Sequence, residues 1–235
     1  VNPRTAHPAV SRALLTGFAL VAVVDLLSLA VGYDPAHTVT KPLLMPLLAA
    51  YAALRGAPRL LVAALLCGWG GDTLLLSDAD AAFLAGMACF AAGHLCYLAL
   101  FRTYGGPKRA PRVRAGLLVA GYAVALAFTV TLLWPDLPAD LRVPVAGYST
   151  LLTAMACAAA TRLGLVAGVG GALFMVSDTL IATGVADWPQ PPRPDSWIML
   201  TYAAAQFLLV QGVLGTLAER RAPAAAYREV RSTTP

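Results

Sequence analysis

The sequence predicts an all-α integral membrane protein with eight transmembrane helices, and three observations predict it. The 235 residues are 59% hydrophobic and only 12% charged, with a mean hydropathy of +0.70, whereas a soluble domain carries roughly 25% charged residues. The apolar residues gather into eight runs that approach the roughly 20 residues a helix needs to cross a bilayer core. The basic residues concentrate in alternate connectors. A chain this apolar cannot cover a water-facing surface, which excludes a soluble globular enzyme, and it is too hydrophobic for disorder. The net charge is +5 and the pI about 9.2. The cations sit in short loops rather than on a folded face with stacking or base-reading partners, so nucleic acid is not an expected partner.

The runs are Ala13–Val31, Lys41–Leu54, Leu60–Leu76, Ala81–Phe101, Ala115–Trp134, Val143–Ala160, Leu163–Val185 and Trp197–Leu217. Each is bounded by breakers: Gly32 to Pro35, Gly56 to Pro58, Gly105 to Pro111, Pro135 to Pro138 and Pro189 to Pro194. Ser28-Leu29-Ala30 in the first run resembles a signal-peptide cleavage site, but Asp25 inside the apolar stretch argues against cleavage. The second run is short and carries Pro42 and Pro46, tolerable near a helix start where the missing N–H has no partner anyway.

With the N-terminus in the cytoplasm, only Lys41, Arg142 and Arg193 of the 17 basic residues face the other side. That is a strong positive-inside bias. It puts both termini in the cytoplasm and, independently of hydropathy, calls for an even number of spans. The expected organisation is a cytoplasmic segment 1–12, a single eight-helix domain 13–217 and a basic cytoplasmic tail 218–235. The expected location is the inner (plasma) membrane, with the lipid bilayer as partner and no oligomeric state legible. Lys41 and Lys108 are the only lysines, an arginine skew typical of high-GC bacteria. Cys67, Cys89, Cys96 and Cys157 lie in apolar runs with no CxxC pair, so neither a disulfide framework nor a thiolate metal site is expected.

Ionisable groups inside a span cost about 2.5–3.5 kcal/mol each on insertion scales and default to a functional reading. Here they are Asp25, Asp72, His94 and Asp178, with Lys41 at a helix mouth. At 1.5 Å per residue, Asp72 lies about 9 Å, Asp178 about 13 Å and Asp25 about 12 Å below the outer surface. Tyr202 and Gln206 come out at about 10 and 16 Å, and His94 deeper, at about 21 Å. All but His94 are placed to meet in one outer-half pocket. Phe83, Phe90, His94, Tyr97 and Phe101 recur at helical spacing and make one stripe on the fourth helix. The stretches Gly70-Gly71-Asp72-Thr73-Leu74-Leu75 and Val176-Ser177-Asp178-Thr179-Leu180-Ile181 echo each other four helices apart, which suggests two four-helix halves.

Two carboxyls close together in a dry site do not both ionise, leaving one acid and one base. That suits hydrolysis of an acid-labile bond such as a vinyl ether. Protonation of its alkene carbon gives an oxocarbenium ion, water adds, and the hemiacetal collapses to an aldehyde and an alcohol. No GxSxG elbow and no HExxH is present, and the chemistry calls for no metal and no cofactor. Buried acids in a four-plus-four repeat also fit a proton-coupled transporter. An intramembrane aspartyl protease fits less well, because Trp69 stands where a G-x-G-D motif needs its first glycine.

One ordered set of residues carries a resemblance: Lys41-Pro42 opening the second helix, Gly71-Asp72 with Leu74 and Leu75, Phe83, Gly86, Phe90, His94, Tyr97, Gly171, Ser177-Asp178, Tyr202 and Gln206. From Lys41 to Gln211 the chain resembles the YhhN/TMEM86 family of membrane lysoplasmalogenases. The resemblance implies an eight-helix hydrolase that cleaves the vinyl ether of a lysophospholipid substrate to a fatty aldehyde and a glycerophospho-alcohol. It implies catalytic roles for Asp72 and Asp178, with Lys41, His94, Tyr97, Tyr202 and Gln206 as substrate-binding residues. Trp69-Gly70 departs from the small or hydroxyl residues expected before Gly71-Asp72, and Asp25 lies outside the pattern.

Overall fold

The computed structural model describes residues 8–106 and 112–232, with side chains described up to residue 221. Arg4, Lys108 and Arg109 of the charge argument, most of the predicted segment 1–12, and the side chains of Arg228 and Arg231 lie outside the described residues. Eight helices follow one another: α1 (Pro8–Val31), α2 (Asp34–Leu54), α3 (Arg59–Leu74), α4 (Asp80–Tyr104), α5 (Arg112–Leu133), α6 (Arg142–Arg162), α7 (Leu165–Val185) and α8 (Pro194–Ser232). No strand occurs among the described residues. Six of the helices, all but α2 and α3, are long and apolar enough to cross a membrane by length and hydropathy.

Two expectations need correcting. Lys41-Pro42 does not open the second helix; the helix begins seven residues earlier at Asp34, where Asp34 and Pro35 occupy its first turn. An acidic residue and a proline both favour an α-helical N-terminus. Pro42 and Pro46 therefore sit inside α2, each leaving a carbonyl one turn back without its N–H. The added polar turn, with His37, Thr38 and Thr40, also takes α2 below the hydropathy of a typical span. The third helix is shorter than its apolar run because the chain turns out at Leu75, whose N–H bonds to Gly71 O, and continues as a loop to Ala79.

Consecutive helices pack against each other from α1 to α4 and from α5 to α8, and α4–α6, α1–α8 and α2–α8 contacts close the bundle. The connectors alternate between two ends. Arg193 reaches the α1–α2 turn at Gly32, and Trp188 Nε1 donates to Asp136 Oδ2 at 2.8 Å, joining the α7–α8 and α5–α6 connectors. At the opposite end Arg221 donates to Gly56 O at 3.4 Å, and Arg162 packs beside Gly105. Arg55, Arg59, Arg102, Arg162, Arg220 and Arg221 gather at this second end, where Gly56 supplies the left-handed turn (φ 73°) that a side chain would resist.

The core runs through α2, α3, α4, α7 and α8, with Met45, Leu48, Leu61, Leu65, Leu100 and Leu209 fully enclosed. Small residues let these helices approach closely: a Cβ on Gly171 would lie 2.8 Å from Ala156 Cα, and one on Gly170 2.9 Å from Ala205 O. Such contacts are what draws helices together where lipid removes the hydrophobic drive between them. By contrast α5 is peripheral, burying only Leu133, and displays Leu117, Val124 and Phe128 outward.

Candidate active site

The predicted polar residues converge, but as two hydrogen-bond chains rather than one pocket. The first starts at Asp72, buried to 3% near the end of α3. Tyr202 of α8 donates to Asp72 Oδ2 at 2.8 Å. One turn on, Gln206 Nε2 donates to the Tyr202 oxygen at 3.3 Å, and Tyr97 of α4 donates to Gln206 Oε1 at 2.6 Å. Glycine makes room for this assembly. A Cβ on Gly68 would lie 2.9 Å from Tyr202 Oη and 3.1 Å from Gln206 Nε2. Gly71 receives the Phe90 ring, whose Cε2 would stand 2.5 Å from an added Cβ.

The second chain starts at Asp178 of α7. Tyr148 of α6 donates a short hydrogen bond to Asp178 Oδ2, and His94 Nε2 lies 3.1 Å from the Tyr148 oxygen. His94 is buried, and its Nδ1 has no hydrogen-bond partner. Its ring packs edge-on against Phe174, centroids 4.9 Å apart. Phe174 in turn meets Tyr202 at 5.4 Å and Phe90 at 6.3 Å, so an aromatic partition stands between the two chains. Lys41 is half-buried on α2.

Asp25 forms a third cluster. Its Oδ1 is 2.9 Å from His37 Nδ1 and accepts from Thr40 at 2.5 Å, tying α1 to α2. Its Oδ2 is buried without a partner.

A partly open cleft lies between α4, α5, α6 and α7. It sits toward the end that carries Asp136 and Trp188. Phe83, Met87, Phe90, Leu126, Leu152, Met175 and Ile181 make it apolar, and Thr129, Tyr148, Ser149, Thr153, Asp178 and Thr179 put a polar stripe on it. Of the seven sequence-predicted site residues only Asp178 lines this cleft. Asp72, Tyr202, Gln206 and Tyr97 stand behind Phe90 and Phe174, and His94 reaches the cleft only through Tyr148. Tyr148 escaped the sequence reading, which counted ionisable groups. The run Tyr148-Ser149-Thr150 with Thr153, four polar residues in an apolar span, was the available signal. His37 was missed because the second helix was started too late.

A cleft of apolar walls with hydroxyls and one reachable carboxyl suits an amphipathic, chain-bearing molecule. Residues 36–213 match the sequence model of the YhhN family. The chain belongs to the YhhN family. Among curated relatives, lysoplasmalogenase TMEM86B of Sus scrofa is 37% identical over 146 residues, 62% of this chain and 59% of the relative. Lysoplasmalogenase TMEM86B of Homo sapiens is 36% identical over 159 residues, 68% and 65% of the two chains. A lysoplasmalogenase of Mycobacterium tuberculosis is 34% identical over 160 residues, 66% and 60%. The match thus spans about three fifths of the length of these relatives. No solved structure matches this YhhN-family chain. The family match begins at residue 36, so Asp25 lies outside it while His37 and Thr40 lie within.

Proposed function

We propose that this chain is a multi-pass membrane hydrolase that cleaves the vinyl ether bond of a lysoplasmalogen or related ether lysolipid, giving a fatty aldehyde and a glycerophospho-alcohol. The observation that carries the reading is the α4–α7 cleft: apolar, partly open, and reaching a carboxyl in its wall at Asp178. The names of the relatives supply the substrate class.

In this reading the alkenyl chain lies along the apolar wall, with the vinyl ether beside Asp178. Asp178 acts from the cleft wall, and Asp72 shares the acid–base work once substrate displaces the Phe90 and Phe174 rings that stand between it and the cleft. One carboxyl delivers its proton to the alkene carbon, the carbon–oxygen bond gains oxocarbenium character, and the other carboxylate takes a proton from the water that adds. The second carboxyl then gives its proton to the ether oxygen as the C–O bond breaks, and the first carboxylate takes the hemiacetal hydroxyl proton, so both groups regain their starting states. Lys41, a half-buried cation on α2 with no ion pair among the described residues, pairs with the substrate phosphate. Tyr97, Tyr202 and Gln206 hold the Asp72 side of the site, and His94 the Asp178 side. No cofactor enters the reaction.

All eight helices traverse the bilayer in this account, α2 and α3 shielded by their neighbours, with the arginine-rich end and both termini on the cytoplasmic side of the inner membrane. Pairwise packing of α1 to α4 and of α5 to α8 in sequence order supports two four-helix halves. The site then opens in the outer half of the membrane.

The test is release of fatty aldehyde from 1-alkenyl lysophosphatidylethanolamine by purified protein in detergent. Wild type is expected to release aldehyde and glycerophosphoethanolamine in equal amounts, and Asp178→Asn and Asp72→Asn to lose at least about 100-fold, the size of effect expected when a positioned acid or base is removed. Full turnover in both variants would end the acid–base assignment.

A further inference from the structure

The two hydrogen-bond chains repeat one plan with different end members. In each, an aspartate accepts from a tyrosine, and that tyrosine accepts from one further nitrogen. The Asp72 chain ends in Gln206 Nε2, the Asp178 chain in His94 Nε2. A phenol has one proton. Tyr148 gives its proton to the Asp178 carboxylate, so the imidazole nitrogen facing it must carry a hydrogen. His94 is thereby fixed as the neutral Nε2–H tautomer, and the buried, unpartnered Nδ1 holds the lone pair. The corresponding place on the other side is filled by a glutamine, locked by Tyr97 so that its NH2 points at Tyr202. An amide exchanges no proton in the neutral range. What the plan requires at that place is a fixed N–H donor.

We propose that Tyr148 is a positioning residue for the reaction, with His94 as the fixed neutral donor that orients it. Tyr148 holds one oxygen of Asp178 against the α6 side and leaves the rest of the carboxyl facing the cleft; His94 holds the Tyr148 hydroxyl in the one rotamer that does this. The inference rests on Asp178 being a reacting carboxyl, as proposed above. It follows the general logic of acid–base sites, in which the group that exchanges the proton is oriented by a second and a third. It also gives His94, deep in the fourth helix and off the cleft, a task other than touching substrate.

The test compares kcat and KM for aldehyde release by wild type, Tyr148→Phe, His94→Leu, His94→Gln and Asp178→Asn, with melting temperatures of each. Tyr148→Phe keeps the ring in the cleft wall and loses only the hydroxyl. It is expected to lower kcat about 10–100-fold, the worth of a hydrogen bond to a charged group, with KM within about twofold. His94→Leu is expected to do the same. His94→Gln places an amide nitrogen near the imidazole Nε2 and is expected to recover most of the loss, a rescue that general loss of packing would not produce. Wild-type kcat in Tyr148→Phe, with Asp178→Asn inactive, would overturn the positioning role and leave the Asp178 assignment standing. His94→Gln as impaired as a folded His94→Leu would overturn the fixed-donor role and point to proton exchange at the ring. Activity in Asp178→Asn would remove the reading on which the inference rests, a separate outcome. Should Tyr148→Phe or His94→Leu fail to fold, His94→Gln alone decides by its kcat relative to wild type.

Discussion

Asp72 and Asp25 are both almost wholly enclosed, and each depends on a hydroxyl donor for its burial. Tyr202→Phe removes the donor to Asp72 and leaves a buried oxygen unsatisfied. It is expected to lower stability by about 1–2 kcal/mol, read as a drop in melting temperature in detergent. Asp25→Ala breaks the ties to His37 and Thr40, and a loss of about 1–3 kcal/mol is expected there too, with kcat within about threefold of wild type. A kcat collapse in a folded Asp25→Ala protein would mean that this cluster belongs to the chemistry. Depth counting along ideal helices brings Asp72 and Tyr202 to one level, with Gln206 one turn below, because the breakers mark the helix ends from which the count starts. It set His94 too deep to join Asp178, because it took no account of a bridging side chain. The Tyr148 phenol spans that gap, and a bridge between two helices is invisible to any reading of one helix at a time.

At the scale of elements, α3 decides whether the site can assemble. Its Gly68 and Gly71 are the faces on which Tyr202 and Phe90 rest. Gly71→Ala drives a methyl into the Phe90 ring, and overpacking of that kind costs about 1–3 kcal/mol. Because Phe90 also lines the cleft, the variant is expected to lose activity as well as stability, measured by aldehyde release and thermal melting side by side. Gly184, whose Cβ would meet nothing within 4 Å, makes the control: Gly184→Ala is expected to change neither by a measurable amount. The glycines of α3 and α7 are legible in the sequence. The true start of α2 was not, since hydropathy alone gives no credit to a polar first turn. There Asp34 and Pro35 favour the helix, and Thr40 and His37 are satisfied by Asp25 on the neighbouring α1.

For the whole molecule, the division into an arginine-rich end and an end carrying Asp136, Asp187 and Trp188 was readable from loop composition, because topology in a membrane is written in the connectors. The cleft was not readable. It arises where peripheral α5 packs on α6 and α7 and leaves the wall of α4 uncovered, a tertiary outcome with no local signature. If the substrate chain lies in that cleft, Ala182→Trp, which fills its α7 wall, is expected to raise KM for long alkenyl chains several-fold more than for short ones, measured over a chain-length series. Equal effects at all lengths would place the chain elsewhere. The central claim is that a carboxyl of this bundle protonates the alkene carbon of a vinyl ether. Its most direct test is to run the reaction in D2O, trap the aldehyde by reduction, and weigh the product by mass spectrometry for wild type, Asp72→Asn and Asp178→Asn. The wild-type product is expected to carry one deuterium on the carbon next to the carbonyl, and the variants to give no product above background. Aldehyde without that deuterium, or no aldehyde at all from well-folded wild type, would contradict it.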